Sequence, residues 1–201
     1  MINEMGLRPS KGMVYYTDSR FDGSIASEVR FRLSCVGYPI VSVSHEPLPG
    51  FGKNIVVDMK PGVSTMFRQI LIGLEASETD IIFLTEHDVL YDPAHFEFTP
   101  PRKDVFYYNT NTWVVNEKTK KGMIYKQMQT SGLCAYRKLL VKHYRTRVEM
   151  LDENESVYMQ FEPGLAKNVD DYQAESWTTE NPNIDIRHDG NLTGFRFMNL
   201  K

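Results

Sequence analysis

Four consecutive apolar residues, Ile81, Ile82, Phe83 and Leu84, leave a strand no polar face to turn toward water. A sheet that contains them must be covered on both sides, which is the condition of parallel sheets wrapped by helices. The segments before them alternate as that architecture requires. "GMVYYTD" is a short β-rich run ending at Thr17-Asp18, and "DGSIASEVRFRLSCVG" carries Ile25, Val29, Leu33 and Val36 at helical spacing. "YPIVSVSHEP" predicts a second strand, closed by the proline and glycine cluster from Pro47 to Gly52, and "NIVVDM" a third. Pro61 suits a helix's first turn, "VSTMFRQILIGLEAS" presents Met66, Ile70 and Leu74 on one side, and "DIIFLTEHD" is the fourth strand. The expected fold is therefore α/β, a Rossmann-type, mainly parallel sheet flanked by helices. Ligands of such sheets gather at the carboxyl ends of the strands.

Beyond Pro93 the pattern changes. "DVFYYNTNTWVVN" and "GMIYKQMQT", joined by "EKTKKG", predict an aromatic hairpin. "SGLCAYRKLLVKHYRTRVEML" predicts a long amphipathic helix, with Leu133, Tyr136, Leu140, Tyr144 and Val148 on one side. Arg137, Lys138, Lys142, Arg145 and Arg147 form a solvated basic stripe on the other. The tail from Glu162 to Arg196 has little periodicity and reads as a C-terminal loop region, with a helix starting near Asp170-Asp171 and a short strand at Asn183–Arg187. At 201 residues, 41% of them apolar, the chain can build one full core, so one domain over 1–201 is expected.

Charge narrows the function classes. With 23 basic and 26 acidic side chains the net charge is -3, so no bulk field holds the molecule on nucleic acid or anionic lipid. Cys35 and Cys134 lack short-range partners and read as buried thiols of a reducing compartment. The absence of a long apolar run and of a secretory segment in "MINEMGLRPSKG" predicts a cytoplasmic protein without integral membrane association. The sequons at Asn154 and Asn191 read as chance matches.

The chemistry is concentrated where the fourth strand ends. Glu86 and Asp88 are two residues apart, so in an extended segment both carboxylates face one cation while His87 faces away in a structural role. Hard divalent ions such as Mg²⁺ and Mn²⁺ prefer carboxylate oxygen and keep waters and phosphates as further ligands. For an arbitrary acidic pair a helix cap or a turn at a strand exit is the ordinary explanation, and the spacing and the strand end shift the reading toward a cation. His188 follows the alternating Ile184 and Ile186, while His45, His95 and His143 have ordinary structural explanations.

"TEHD" resembles a variant of the Asp-X-Asp motif of GT-A fold glycosyltransferases, family-2-like and of the small single-domain bacterial and phage type, with Glu in the first place. The order of elements is similar too: a polar turn after strand one ("YYTDSR"), the acid motif, an aromatic acceptor-side region, and a late histidine in "NIDIRHDGNLTG". The resemblance spans roughly residues 13 to 196, with a nucleotide-binding half at 13–91 and an acceptor half at 104–196. There is no Gln-X-X-Arg-Trp element, so processive polysaccharide synthases match poorly and transfer of one sugar fits better.

The resemblance implies Asp88 and His188 as ligands of Mn²⁺ or Mg²⁺, with Glu86 on a ribose hydroxyl or an outer water; the reverse division of the two acids stays open. It implies donor contacts from Thr17 and Asp18, a diphosphate met by Arg20 or Arg68, and a donor sugar or phosphate at the backbone of Ser131-Gly132. Asn109, Asn111, Trp113 and Trp177 are acceptor-side candidates, each with a packing explanation beside it. If the reaction inverts the anomeric centre, Asp171 or Glu175, sharing one helix face, is the expected base. The implied donor is a nucleotide-diphosphate sugar, a uridine diphosphate sugar by resemblance alone. The acceptor is a hydroxyl of unassigned class: saccharide, lipid-linked sugar, protein or modified DNA base. A metal-dependent hydrolase and a non-catalytic sugar-nucleotide binder are the rival readings.

Overall fold

A computed structural model of the chain describes residues 8–20, 23–153, 162–165, 172–189 and 191. Strand β1 (Lys11–Tyr16), helix α1 (Gly23–Cys35), β2 (Ile40–Ser44), β3 (Lys53–Val56), α2 (Val63–Ala76) and β4 (Ile81–Glu86) follow one another as the periodicity predicts. The first β-α-β unit places β2 parallel to β1, and β4 lies parallel on the other side of β1. After the two-residue β5 (Val89–Leu90) come β6 (Val105–Asn109), β7 (Thr112–Asn116), β8 (Gly122–Ile124) and β9 (Leu133–Tyr136). Helix α3 (Arg137–Glu153), β10 (Gln173–Trp177) and β11 (Asn183–Arg187) complete the described elements.

The central sheet has seven strands in the order β10-β6-β9-β4-β1-β2-β3, all parallel except β9, which runs antiparallel to both β4 and β6. Successive residues of β4 supply both faces, as its unbroken apolar run demands. Ile82 and Leu84 join Ile70 and Leu74 of α2 and Leu140 and Tyr144 of α3 in one core cluster. Ile81 and Phe83 join Val29 and Leu33 of α1 and Phe96 in another. Each such side chain, fully withdrawn from water, stabilises the fold by roughly 1.5–3 kcal/mol. Helix α2 approaches β1 so closely that a Cβ at Gly73 would lie 2.5 Å from Val14 Cγ1, which is why a glycine sits mid-helix. A smaller four-stranded sheet, β5-β11-β7-β8, stands at the carboxyl end of β4.

Five expectations need correction. The aromatic run from Asp104 to Asn116 is not one strand of a hairpin: it breaks at Thr110-Asn111 into β6 of the central sheet and β7 of the small one, and only β7 and β8 pair as a hairpin. The helix does not begin near Ser131, because Leu133–Tyr136 are buried without interruption as an inserted strand, a tertiary environment that overrides local helical preference. The residues around Glu175 form the edge strand β10 rather than a helix. Arg147 is buried with its guanidinium 4.4 Å from the centre of the Phe67 ring, so it leaves the basic stripe, and Cys35 is exposed, whereas Cys134 is buried.

Candidate functional site

The carboxyl ends of β1 and β4 open into a cavity of about 280 Å³. Its floor is built by register. Tyr16 of β1 lies opposite Glu86 of β4, and the Tyr16 hydroxyl donates to Glu86 Oε1. Thr17 and Asp18 line the adjoining wall; Gln69 of α2 holds it by donating from Nε2 to the Thr17 carbonyl at 2.8 Å. On the far side the small sheet contributes Asp185 and Arg187, joined at 2.6 Å. Tyr125, Gln129, Ser131 and Glu162 complete the rim, and the Thr130 hydroxyl donates to Glu162 Oε2.

Strand geometry stops at Glu86. His87 and Asp88 form a turn into β5, so the strand alternation expected to point His87 away from its acidic neighbours does not persist. Ligand atoms of His87, Asp88 and His188 lie within 4.8 Å of one another. Asp88 Oδ2 is 3.5 Å from His188 Nε2 and accepts from Asn191 Nδ2 at 2.6 Å, while Asn191 Oδ1 accepts from the His188 backbone N–H, also at 2.6 Å. The Asp88 carbonyl accepts from Ile186 N–H at 2.8 Å, tying the turn to β11. Thus residues a hundred positions apart meet through the β5–β11 pairing, this backbone bond and one asparagine.

Burial would raise the Asp88 carboxyl, but the hydrogen bond with His188 and the nearby His87, Arg187 and His188 outweigh it and hold Asp88 below the ordinary carboxylate range. Glu86 is pushed up to about 8 by burial and by the charge of Asp88, against the Tyr16 hydrogen bond. Asp185 rises to about 7 by burial, a rise that Arg187 opposes and the charge of Asp88 reinforces.

The group fits a small divalent cation. Asp88 Oδ1 is buried without a hydrogen-bond partner among the described residues, and a carboxylate with two imidazoles is a donor set that suits Mn²⁺ better than Mg²⁺.

Other sequence candidates lie elsewhere. Asp18 faces the cavity but also grips Arg20, whose Nε and terminal nitrogen donate to Asp18 Oδ2 at 2.8 and 2.6 Å, and Arg20 does not line the cavity. Arg68 pairs with Asp152 on the surface between α2 and α3. Ser131 lines the cavity, but it precedes a strand, not a helix, so no helix N-terminus stands behind Ser131-Gly132. Gly132 is required by packing: an added Cβ would come within 2.8 Å of the Asn109 carbonyl. Asn109 is fully buried and spent on internal hydrogen bonds, and Asn111 donates to the Thr179 and Glu180 carbonyls. Trp177 stacks on Phe98 with ring centres 4.1 Å apart, and Trp113 points to the outer face of the small sheet. None of Asn109, Trp113 and Trp177 lines the cavity. Glu175 is exposed on β10 beside Arg102 at 3.6 Å, away from the cavity; Asp171 lies outside the described residues.

Sequence reasoning passed over Gln69, Arg187 and Asp185. The alternation Asn183, Asp185, Arg187 was the available signal for the last two, since a strand that turns its charged residues inward must be lining something polar.

No family model matches the chain, and no curated protein matches it in sequence. Solved structures do match. The chain is similar to the bifunctional IspDF from Campylobacter jejuni (TM-score 0.52, 12% identity, 85% of this chain and 50% of that one). It is similar to a glycosyltransferase involved in the glycosylation of the major capsid of PBCV-1 (TM-score 0.52, 11% identity, 88% and 92%) and to the inositol-1-phosphate CTP transferase from T. maritima (TM-score 0.50, 13% identity, 93% and 93%). The chain thus spans half the length of the first and nearly all of the other two. The fold is GT-A-like. At these identities the likeness extends to the fold alone.

Proposed function

We propose that the chain is a metal-dependent glycosyltransferase that moves one sugar from a nucleotide-diphosphate donor, most simply a uridine diphosphate sugar, to an acceptor hydroxyl. The observation that carries this reading is the convergence of His87, Asp88 and His188 at the carboxyl end of β4, where His87 and Asp88 line a cavity whose other wall is the polar end of β1. Asp88, His188 and His87 would hold the cation, which when bound neutralises charge on a departing diphosphate. Arg187, held in place by Asp185, offers a second positive group to the same leaving group. In this reading Thr17 and Asp18, which line the cavity, would take the base and ribose, and Glu86, held by Tyr16, a ribose hydroxyl.

Among the structures matched, nucleotide transfer is the competing chemistry. A triphosphate is commonly cradled by backbone N–H groups of a glycine-rich loop, whereas the described stretch after β1, Thr17-Asp18-Ser19-Arg20, has no glycine and carries a carboxylate in its second place. That favours a sugar nucleotide over a nucleoside triphosphate.

The test is donor turnover with Mn²⁺ across a panel of nucleotide sugars, read by mass spectrometry with and without candidate acceptors. Asp88→Ala should lose at least a hundredfold in metal-dependent turnover, and normal turnover in that variant would remove the reading. Full-rate release of free sugar without acceptor would assign a hydrolase instead.

A further inference from the structure

The small sheet departs from ordinary one-sided sheets, which turn apolar residues to the core and polar ones to water: its buried face mixes Val89 and Val114 with polar residues, and its outer face is apolar. Register puts Asn183, Asp185 and Thr112 on the buried face, with Arg187 of the same face lining the cavity. Trp113, Val115, Ile124, Ile184 and Ile186 fall on the opposite face: Ile184 lies beside Trp113, Ile186 beside Val115, and Trp113 beside Ile124. None of these five belongs to either core cluster. Trp113 and Ile124 keep 42% and 51% of their surface exposed. A contiguous apolar face of this kind on a soluble domain marks a docking surface.

The hairpin that carries the face also carries its charge. In a chain of net charge -3, the turn between β7 and β8 concentrates Lys118, Lys120 and Lys121, all exposed, with exposed Lys126 just past β8. The turn is closed by its own hydrogen bonds. Asn116 Oδ1 accepts from the backbone of Lys118 and Thr119, Lys120 N–H closes on the Asn116 carbonyl, and Lys120 adopts a φ of 57°. One of these lysines, Lys118, pairs with Asp189 at 2.5 Å. An exposed tryptophan and isoleucines rimmed by lysines combine apolar insertion with attraction to anionic headgroups, the two terms that hold a protein on a bilayer surface.

We infer that the outer face of the small sheet, Trp113, Val115, Ile124, Ile184 and Ile186 with the lysine turn, docks peripherally on anionic lipid bilayers. The cavity lies behind the opposite face of the same sheet, so docking leaves the donor side of the site away from the lipid. No helix among the described residues is long and apolar enough to cross a membrane, and the docking needs none.

The test uses the full chain without donor or metal, so that its outcome is independent of the proposed reaction. Flotation with phosphatidylcholine vesicles is compared with flotation on vesicles containing about 30% phosphatidylglycerol. Binding is expected to the anionic vesicles and to weaken at high salt, with a blue shift of Trp113 emission read in a Trp177→Phe background. Trp113→Gln with Ile124→Gln, and separately Lys118→Gln with Lys120→Gln and Lys121→Gln, should each reduce vesicle binding about tenfold or more. All these positions are exposed, and unchanged thermal melts would exclude misfolding. Absence of binding to anionic vesicles, or binding indifferent to both sets of substitutions, overturns the inference. So does a dimer in sedimentation velocity that the Trp113 and Ile124 substitutions dissociate, which would assign the face to a second copy of this chain.

Discussion

His95 is completely buried, and its partners fix its protonation state. Asn109 Oδ1 accepts from Asn111 N–H at 2.9 Å and Asn183 Oδ1 from Asp92 N–H at 3.1 Å, so both amides turn their Nδ2 groups toward His95 Nδ1, each at 3.2 Å. Nδ1 is therefore an acceptor, and the ring is neutral with its proton on Nε2. Burial lowers the imidazole to about 3, well below the usual 6.5. The native state thus stays neutral while the unfolded chain takes up a proton as pH falls through 6.5, and stability drops by about 1.4 kcal/mol per pH unit between there and pH 3. The stability difference between wild type and His95→Gln, measured by urea unfolding, should therefore shrink by about 2 kcal/mol from pH 7.5 to pH 5. A pH-independent difference would show that His95 titrates normally. Nothing in the local sequence "DPAHFEF" announces this role, because its partners come from β6 and β11.

Helix α2 illustrates what an element's sequence records and what it conceals. Its apolar spacing was legible, and Ile70 and Leu74 pack where that spacing puts them. Gly73 was not explicable from the helix alone, since glycine mid-helix costs about 1 kcal/mol relative to alanine. The compensation is contact with Val14 on β1. Gly73→Ala regains helix propensity but places a methyl group against a fully buried valine, and overpacking costs ~1–3 kcal/mol. The expected net result is a loss of about 1 kcal/mol in urea unfolding; a gain in stability would mean that the helix can shift outward freely. Strand β9 shows the opposite case: "LCAY" is compatible with the helix that follows it, and only insertion between β4 and β6 makes it a strand.

At the scale of the molecule, the turn after β4 and the segment after β11 meet at His87, Asp88, His188 and Asn191. A cation bound there would clamp the small sheet to the central one, and ligand held only by the native state stabilises it by about 2.7 kcal/mol at a hundredfold excess over Kd. Saturating Mn²⁺ should raise the melting temperature of the wild-type chain by at least about 5 °C, with EDTA reversing the rise. Asp88→Ala should show no such shift, and an equal shift in both proteins would place the ion elsewhere. The parallel α/β frame was legible in the chain alone, and so was the end of β4 as a place where acids gather, because periodicity, an unbroken apolar run and an acid pair are local properties that survive any tertiary arrangement. It could not determine which distant side chains face that centre. Arg187, Gln69 and His87 enter it, while Trp177, Asn109 and Glu175 leave it, because a strand's register, and one turn that ends its alternation, decide to which side each side chain points.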